Sequence, residues 1–213
     1  MSTFESVDKK CAVCGNVFDT TVIMSTNAFG YPDLDFRPPE MQRSTMWHWV
    51  HRCPKCGYTA FDIETPTDIT EEWLCEYMIP QFESMNFKSE LAGLFFRAHL
   101  IADRKNDKSE MFDSALYAAW ACDDAGDEEN AVFCRKLAIH ALGKIDDASV
   151  ITINRKALIM ADLLRRCSCF GAVVQLLQTT KFRDENEEKI RLFQIKKAEE
   201  KDSSCYRTFD ALN

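Results

Sequence analysis

No apolar run in this 213-residue chain comes near the roughly 20 residues that cross a bilayer, so no membrane-spanning helix is expected. The first residues, Met-Ser-Thr-Phe-Glu-Ser-Val-Asp, lack the basic and apolar stretches of a secretory leader. The ten cysteines are therefore expected to be reduced thiols in the cytoplasm rather than disulfides. Positive charge is also scarce, with 26 Lys and Arg against 34 Asp and Glu and a formal net charge of −8. Residues 1–64 carry six basic side chains against eight acidic ones. Phosphate backbones are gripped by clustered Lys and Arg, and Arg37, Arg43, Arg52 and Lys55 make only a small patch, which disfavours nucleic acid as a partner. The sequence has no phosphate loop, dinucleotide fingerprint or metalloprotease helix, and His99 and His140 have no Ser or Cys at motif spacing.

The chain does contain two copies of Cys-x-x-Cys-Gly: Cys11-Ala-Val-Cys14-Gly15 and Cys53-Pro-Lys-Cys56-Gly57. Two cysteines three positions apart can grip one tetrahedral ion, because the turn between them points both sulfurs the same way. A glycine behind each pair can take a positive φ and turn backbone N–H groups toward the thiolates. The four cysteines Cys11, Cys14, Cys53 and Cys56 thus read as one structural Zn2+ site. A redox pair is the competing reading, but a thioredoxin-type motif opens a helix within a βαβ unit, whereas both pairs here lead into turn and strand sequence. Residues 15–52 separate the knuckles, an insert longer than the usual 15–20 residues.

That insert is rich in turn formers, with Gly30, Pro32, Pro38 and Pro39, and reads as an ordered irregular loop. Its polar side chains Asn27, Asp33, Asp35, Arg37 and Arg43, with His48 after them, admit two readings. The aspartates cap turns and pair with the arginines to fix the loop, or the set forms a small polar pocket. Met46–Arg52 alternates as a strand would, with Trp47, Trp49 and His51 on one face and Met46, His48, Val50 and Arg52 on the other. His48 and His51 are then strand-face residues, since four thiolates already complete a tetrahedral shell. Tyr58–Phe61 reads as a second short strand.

From Thr65 onward the apolar period is helical. Asp68 with Glu71 fits a capping box, Pro80 is expected to break the first helix, and Leu91, Leu94, Phe95, Ala98 and Ile101 form the stripe of the second. Asp107 with Glu110 caps a third, which stops at Gly126. Ala115, Ala118, Ala119 and Cys122, facing Ala131 and Ala138, let two helices approach closely in a tetratricopeptide-like hairpin. A second, more degenerate hairpin runs from Asn154 to Leu177 with its turn near Phe170-Gly171. Residues 184–201 read as an exposed helix with pairs such as Glu187 and Arg191, and the tail after Asp202 is expected to fray. Cys75, Cys122 and Cys134 read as small hydrophobes, and Cys167 and Cys169 as core or boundary thiols. The fold class is α+β, mainly α: a β zinc ribbon with a long inter-knuckle insert over 1–64, then antiparallel helical hairpins over 65–213.

Cys-x-x-Cys-Gly near the start, Asp33-Leu-Asp-Phe36, then Cys53 to Phe61 as Cys-Pro-x-Cys-Gly-Tyr-x-Ala-Phe, followed by such helices, resembles the bacterial domain of unknown function family 2225. The resemblance covers residues 11–62 by motif and the remainder by architecture. It implies a bacterial cytoplasmic zinc-ribbon protein, supports the four cysteines as metal ligands and points to Asp33 and Asp35 without assigning a reaction. The functional expectation is a non-enzymatic module that binds a protein or peptide, stapled by zinc. The alternatives are a small-ligand binder or enzyme using the loop pocket, and a ribbon associated with nucleic acid.

Overall fold

The computed structural model describes residues 1–145 and 153–213, a mainly helical chain with a small antiparallel β portion at its start. Strands β1 (Thr3–Lys10) and β2 (Val17–Ser25) pair with Lys10 opposite Val17, so the first cysteine knuckle is the turn of this hairpin. The much shorter β3 (His51–Arg52) and β4 (Thr59–Ala60) place the second knuckle the same way.

The helices are α1 (Glu71–Trp73), α2 (Ile79–Glu83), α3 (Glu90–Lys105), α4 (Lys108–Asp124), α5 (Glu128–Gly143), α6 (Ile153–Arg166), α7 (Phe170–Thr179), α8 (Glu185–Glu199) and α9 (Thr208–Leu212). Asp107 accepts a hydrogen bond from the Glu110 N–H and so caps α4, as its spacing predicts. Between α3 and α4, Asn106 takes φ +58° and closes the helix with its own N–H. Along α4 and α5, Ala115, Ala118, Ala119, Cys122, Ala131 and Ala138 are all fully or almost fully buried. Small side chains at these positions allow the close antiparallel packing seen there.

Three apolar clusters hold the described residues together. One surrounds the cysteines with Tyr58, Ile63, Leu74, Met78 and Ile101; a second joins α3, α4 and α5 and takes in Met46 and Val50 from the inter-knuckle segment. The third packs Leu34 of the loop against Leu158, Val173, Leu177 and Ile190. Loop and helices therefore share buried surface at two places.

Several sequence expectations are corrected. Residues 43–48 form a 3₁₀ turn, Arg43–His48, and only His51–Arg52 is strand. The alternation of Met46–Arg52 has no partner strand long enough to pair with. The turn instead buries Met46, covers Trp49 through its bond to Thr45 and leaves Trp47 exposed. Thr70, not Asp68, caps the first helix, its hydroxyl accepting the Trp73 N–H at 3.2 Å, because the preceding Ile69 is drawn into the cysteine cluster. The helix also continues through Pro80 to Glu83. A π turn at Leu74–Met78, with the Ile79 N–H bonded to the Leu74 carbonyl, absorbs the donor that proline lacks. The turn of the second hairpin does fall near Phe170 as expected, at Cys167–Cys169. Arg191 pairs with Glu188 rather than Glu187, and Cys75 is exposed.

The tail does not fray. Its backbone bonds to the loop, the Leu34 N–H to the Tyr206 carbonyl at 2.9 Å and the Thr208 N–H to the Pro32 carbonyl at 2.8 Å, and α9 follows. Arg165, fully buried, donates to the carbonyls of Asp202 and Ser204. Asp202 accepts from the Tyr206 hydroxyl and from the Ser204 N–H, which hold its carboxyl well below the ordinary carboxylate range. A depressed acid pKa stabilises the fold above the unfolded value of about 4 and is lost as pH falls below it. Asp202→Asn is therefore expected to cost about 1–2 kcal/mol at pH 7 and markedly less at pH 3, read by urea denaturation at both values. An equal deficit at the two pH values would contradict this role.

Candidate metal centre and the loop cluster beside it

The two knuckles repeat one backbone pattern. In the first, the Cys11 N–H bonds to the Asn16 carbonyl and the Gly15 N–H to the Cys11 carbonyl, both at 2.9 Å. In the second, Cys53 bonds to Tyr58 at 2.8 Å and Gly57 to Cys53 at 3.0 Å. Gly15 and Gly57 take φ of +67° and +76°, the left-handed conformation expected of them. A further bond, Ala12 N–H to the Ile63 carbonyl at 3.0 Å, ties the first knuckle to the second hairpin.

This folding brings all four cysteine Sγ atoms within 4.8 Å of one another, a group that could hold a metal ion. The Cys11–Cys56 and Cys14–Cys53 Sγ pairs lie 3.6 Å apart, so each knuckle faces the other. A tetrahedral shell at the zinc–thiolate distance of about 2.3 Å has sulfur–sulfur edges of about 3.8 Å, close to that spacing. Backbone N–H groups of Val13 and Cys14 point at Cys11, and those of Lys55 and Cys56 at Cys53. Burial alone opposes ionisation of these thiols. At Cys53 the N–H donors and neighbouring sulfurs outweigh it and lower the pKa, whereas at Cys11 and Cys56 burial prevails and raises it. A cation at the centre would supply the countercharge that burial withholds. With four sulfurs around it, such an ion has no open position for substrate, the arrangement of a structural site.

Neither histidine near the second knuckle joins the four sulfurs. His48 ends the 3₁₀ turn with its ring on Phe4 at 4.7 Å, and His51 is buried with Nδ1 3.1 Å from the Thr20 hydroxyl.

The loop residues divide. Asn27 is exposed on the approach to the loop, whereas Asp33, Asp35 and Arg37 are buried. Arg43 donates to the Asp33 carboxylate at 2.8 Å, and burial raises the pKa of Asp33 against that pairing. Asp35 is a hub: it accepts from the Arg37 backbone N–H at 3.2 Å, from Trp120 Nε1 at 2.7 Å and from Arg166 at 3.3 Å. Arg37 pairs with Asp124, while Asp123 holds both Arg135 and Arg166. Burial opposes the charge of Arg166, but Asp123, Asp162 and Asp35 outweigh it and raise its pKa. An open cleft of about 530 Å³ between loop, α4, α6 and tail is lined by Asp33, Arg37, Arg43 and Arg166 among others. The helical members of this network, Trp120, Asp123, Asp124 and Arg166, carry no motif in the sequence. Two adjacent aspartates at a helix C-terminus oppose the helix dipole, and that is the one local sign that cations face them.

Comparison with family models, with curated proteins and with solved structures finds no match for this chain.

Proposed function

We propose that this chain is a non-enzymatic protein-interaction module whose N-terminal ribbon is stapled by one structural zinc ion held by Cys11, Cys14, Cys53 and Cys56. The convergence of four cysteine sulfurs within 4.8 Å carries the reading. It is supported by N–H donors aimed at the sulfurs and by a closed shell that leaves no catalytic position. The ionic groups of the loop are paired with one another and with the helices, which supports anchoring rather than chemistry there. Membership of the domain-of-unknown-function family 2225 belongs to the same proposal and adds no reaction to it.

The interaction surface is assigned to the helices, where Phe133 and Leu192 stand exposed. Affinity purification with the metal-loaded chain should recover a defined protein or peptide that is lost with Phe133→Glu or Leu192→Glu while melting is unchanged. A folded chain that recovers no partner, or one recovered equally by both variants, contradicts the interaction reading.

A further inference from the structure

A cleft of about 200 Å³ that shares no residue with the loop network opens between β3, α2 and the start of α3. Its base depends on a missing side chain. A Cβ on Gly93 would stand 3.0 Å from the Phe82 ring, so the glycine lets that ring lie against α3. One turn further along the helix, Arg97 lays its guanidinium over the same ring, with Cζ 3.7 Å from the ring centre. Helix side chains lean toward the N-terminus, which brings the head of Arg97 back over Gly93 to line the cleft.

Arg97 is anomalous. It is 8 % exposed, yet among the described residues it has no ion pair, and its hydrogen bond, from Nη1 to Met78 Sδ at 3.6 Å, goes to a weak acceptor. Buried cations are ordinarily matched by carboxylates or carbonyl oxygens, as Arg165 and Arg166 are in this chain. A second arginine, Arg52, lines the same cleft and also has no side-chain partner among the described residues. Burial and the like charge of Arg52 lower the Arg97 pKa, and Glu83 offsets only part of this. Two guanidinium groups facing one small cavity, neither of them neutralised, are a setting for an oxyanion. The surroundings select its kind. Glu83 acts on Arg97 and Glu90 lines the cleft, so a doubly charged phosphate is repelled, while Met85, Phe87 and Leu94 offer an apolar wall. A singly charged, planar carboxylate with a short apolar body matches both features.

We propose that this cleft binds a small apolar carboxylate, its head forked by Arg97 and Arg52 and its body against Met85, Phe87 and Leu94. The site lies beside the second knuckle, where a Cβ on Gly57 would come within 3.9 Å of Arg97 Nη1. It uses no cysteine, and its occupation does not depend on the interaction reading above.

The test is calorimetric titration of the full metal-loaded chain with hexanoate, with the neutral hexanol and with inorganic phosphate. Hexanoate should saturate the chain and bind at least about tenfold tighter than hexanol or phosphate. Arg97→Met and Arg52→Gln should each bring hexanoate toward the level of hexanol. Arg52 is exposed, so its variant should keep the melting curve of the unaltered chain, and it decides alone if Arg97→Met does not fold. Glu90→Gln removes a like charge from the cleft and should tighten hexanoate at least about twofold, a response that a purely structural role for the arginines would not give. Hexanoate bound no tighter than hexanol, phosphate bound as tightly as hexanoate, or hexanoate bound unchanged by the folded arginine variants would each overturn the proposal.

Discussion

Chelating the proposed zinc from the folded chain should unfold the two knuckles and their hairpins, residues 3–25 and 51–63, outright. A four-thiolate zinc site contributes on the order of 10 kcal/mol or more to so small a module, comparable to the whole stability of an ordinary domain. The ribbon has little else to hold it: β3 and β4 are two residues each, and most of β1 and β2 is exposed. The loss should spread to the elements packed on the cysteines, the π turn through Leu74 and Met78 and the α3 face at Ile101. It should stop short of the contact between α4 and α5, whose core lies away from the cysteines and, of its buried members, takes only Met46 and Val50 from the inter-knuckle segment. Cys53→Ser, at a fully buried sulfur, should reproduce the effect. Amide exchange read segment by segment checks this: protection should vanish at His51–Ala60 and persist in α4 and α5. Native-like protection at His51–Ala60 after metal removal would show that the ribbon does not depend on the ion.

The second large effect belongs to Asp35→Ala. Its carboxylate is fully buried and meets Trp120 Nε1, the Arg166 guanidinium and the Arg37 N–H. Deleting it leaves a buried indole N–H without an acceptor and a nearly buried cation with one carboxylate fewer. Breaking a buried pair from one side costs about 3–5 kcal/mol, and this loss detaches the loop from α4 and α6 together. Asp35→Asn should cost less, because an amide oxygen can still accept from Trp120 while the charge is gone. Denaturant unfolding of the two variants reads the difference. A loss below about 1 kcal/mol in Asp35→Ala would mean that the network is replaceable by water.

The four-cysteine cluster was legible because its requirements are local. A knuckle needs two cysteines and a glycine within five positions, and both copies present them in order. The helical pair α4 and α5 was legible for a similar reason, its alanines marking a close approach along a single stretch of sequence. The role of Asp35 was not legible. The loop's composition suggests pairing with its own arginines, which holds for Asp33 with Arg43, but the side-chain partners of Asp35 are Trp120 and Arg166, 85 and 131 positions away, and nothing local selects them. The turn over 43–48 was misread because alternation describes a strand only when a partner strand exists to pair with it. Pro80 was misread because the π turn that accommodates it leaves no mark in the pattern of apolar residues. The tail was misread because its bonds run to Pro32 and Leu34 of a distant loop, through backbone groups that every sequence has.

Metal content of the chain purified without added metal is the most direct measurement of the central claim, taken together with Cys14→Ser and Cys53→Ser. One zinc per chain, lost in both variants, is the expected result. Iron in its place, or no metal with a disulfide between paired cysteines, would contradict the structural zinc site and return the two knuckles to redox chemistry.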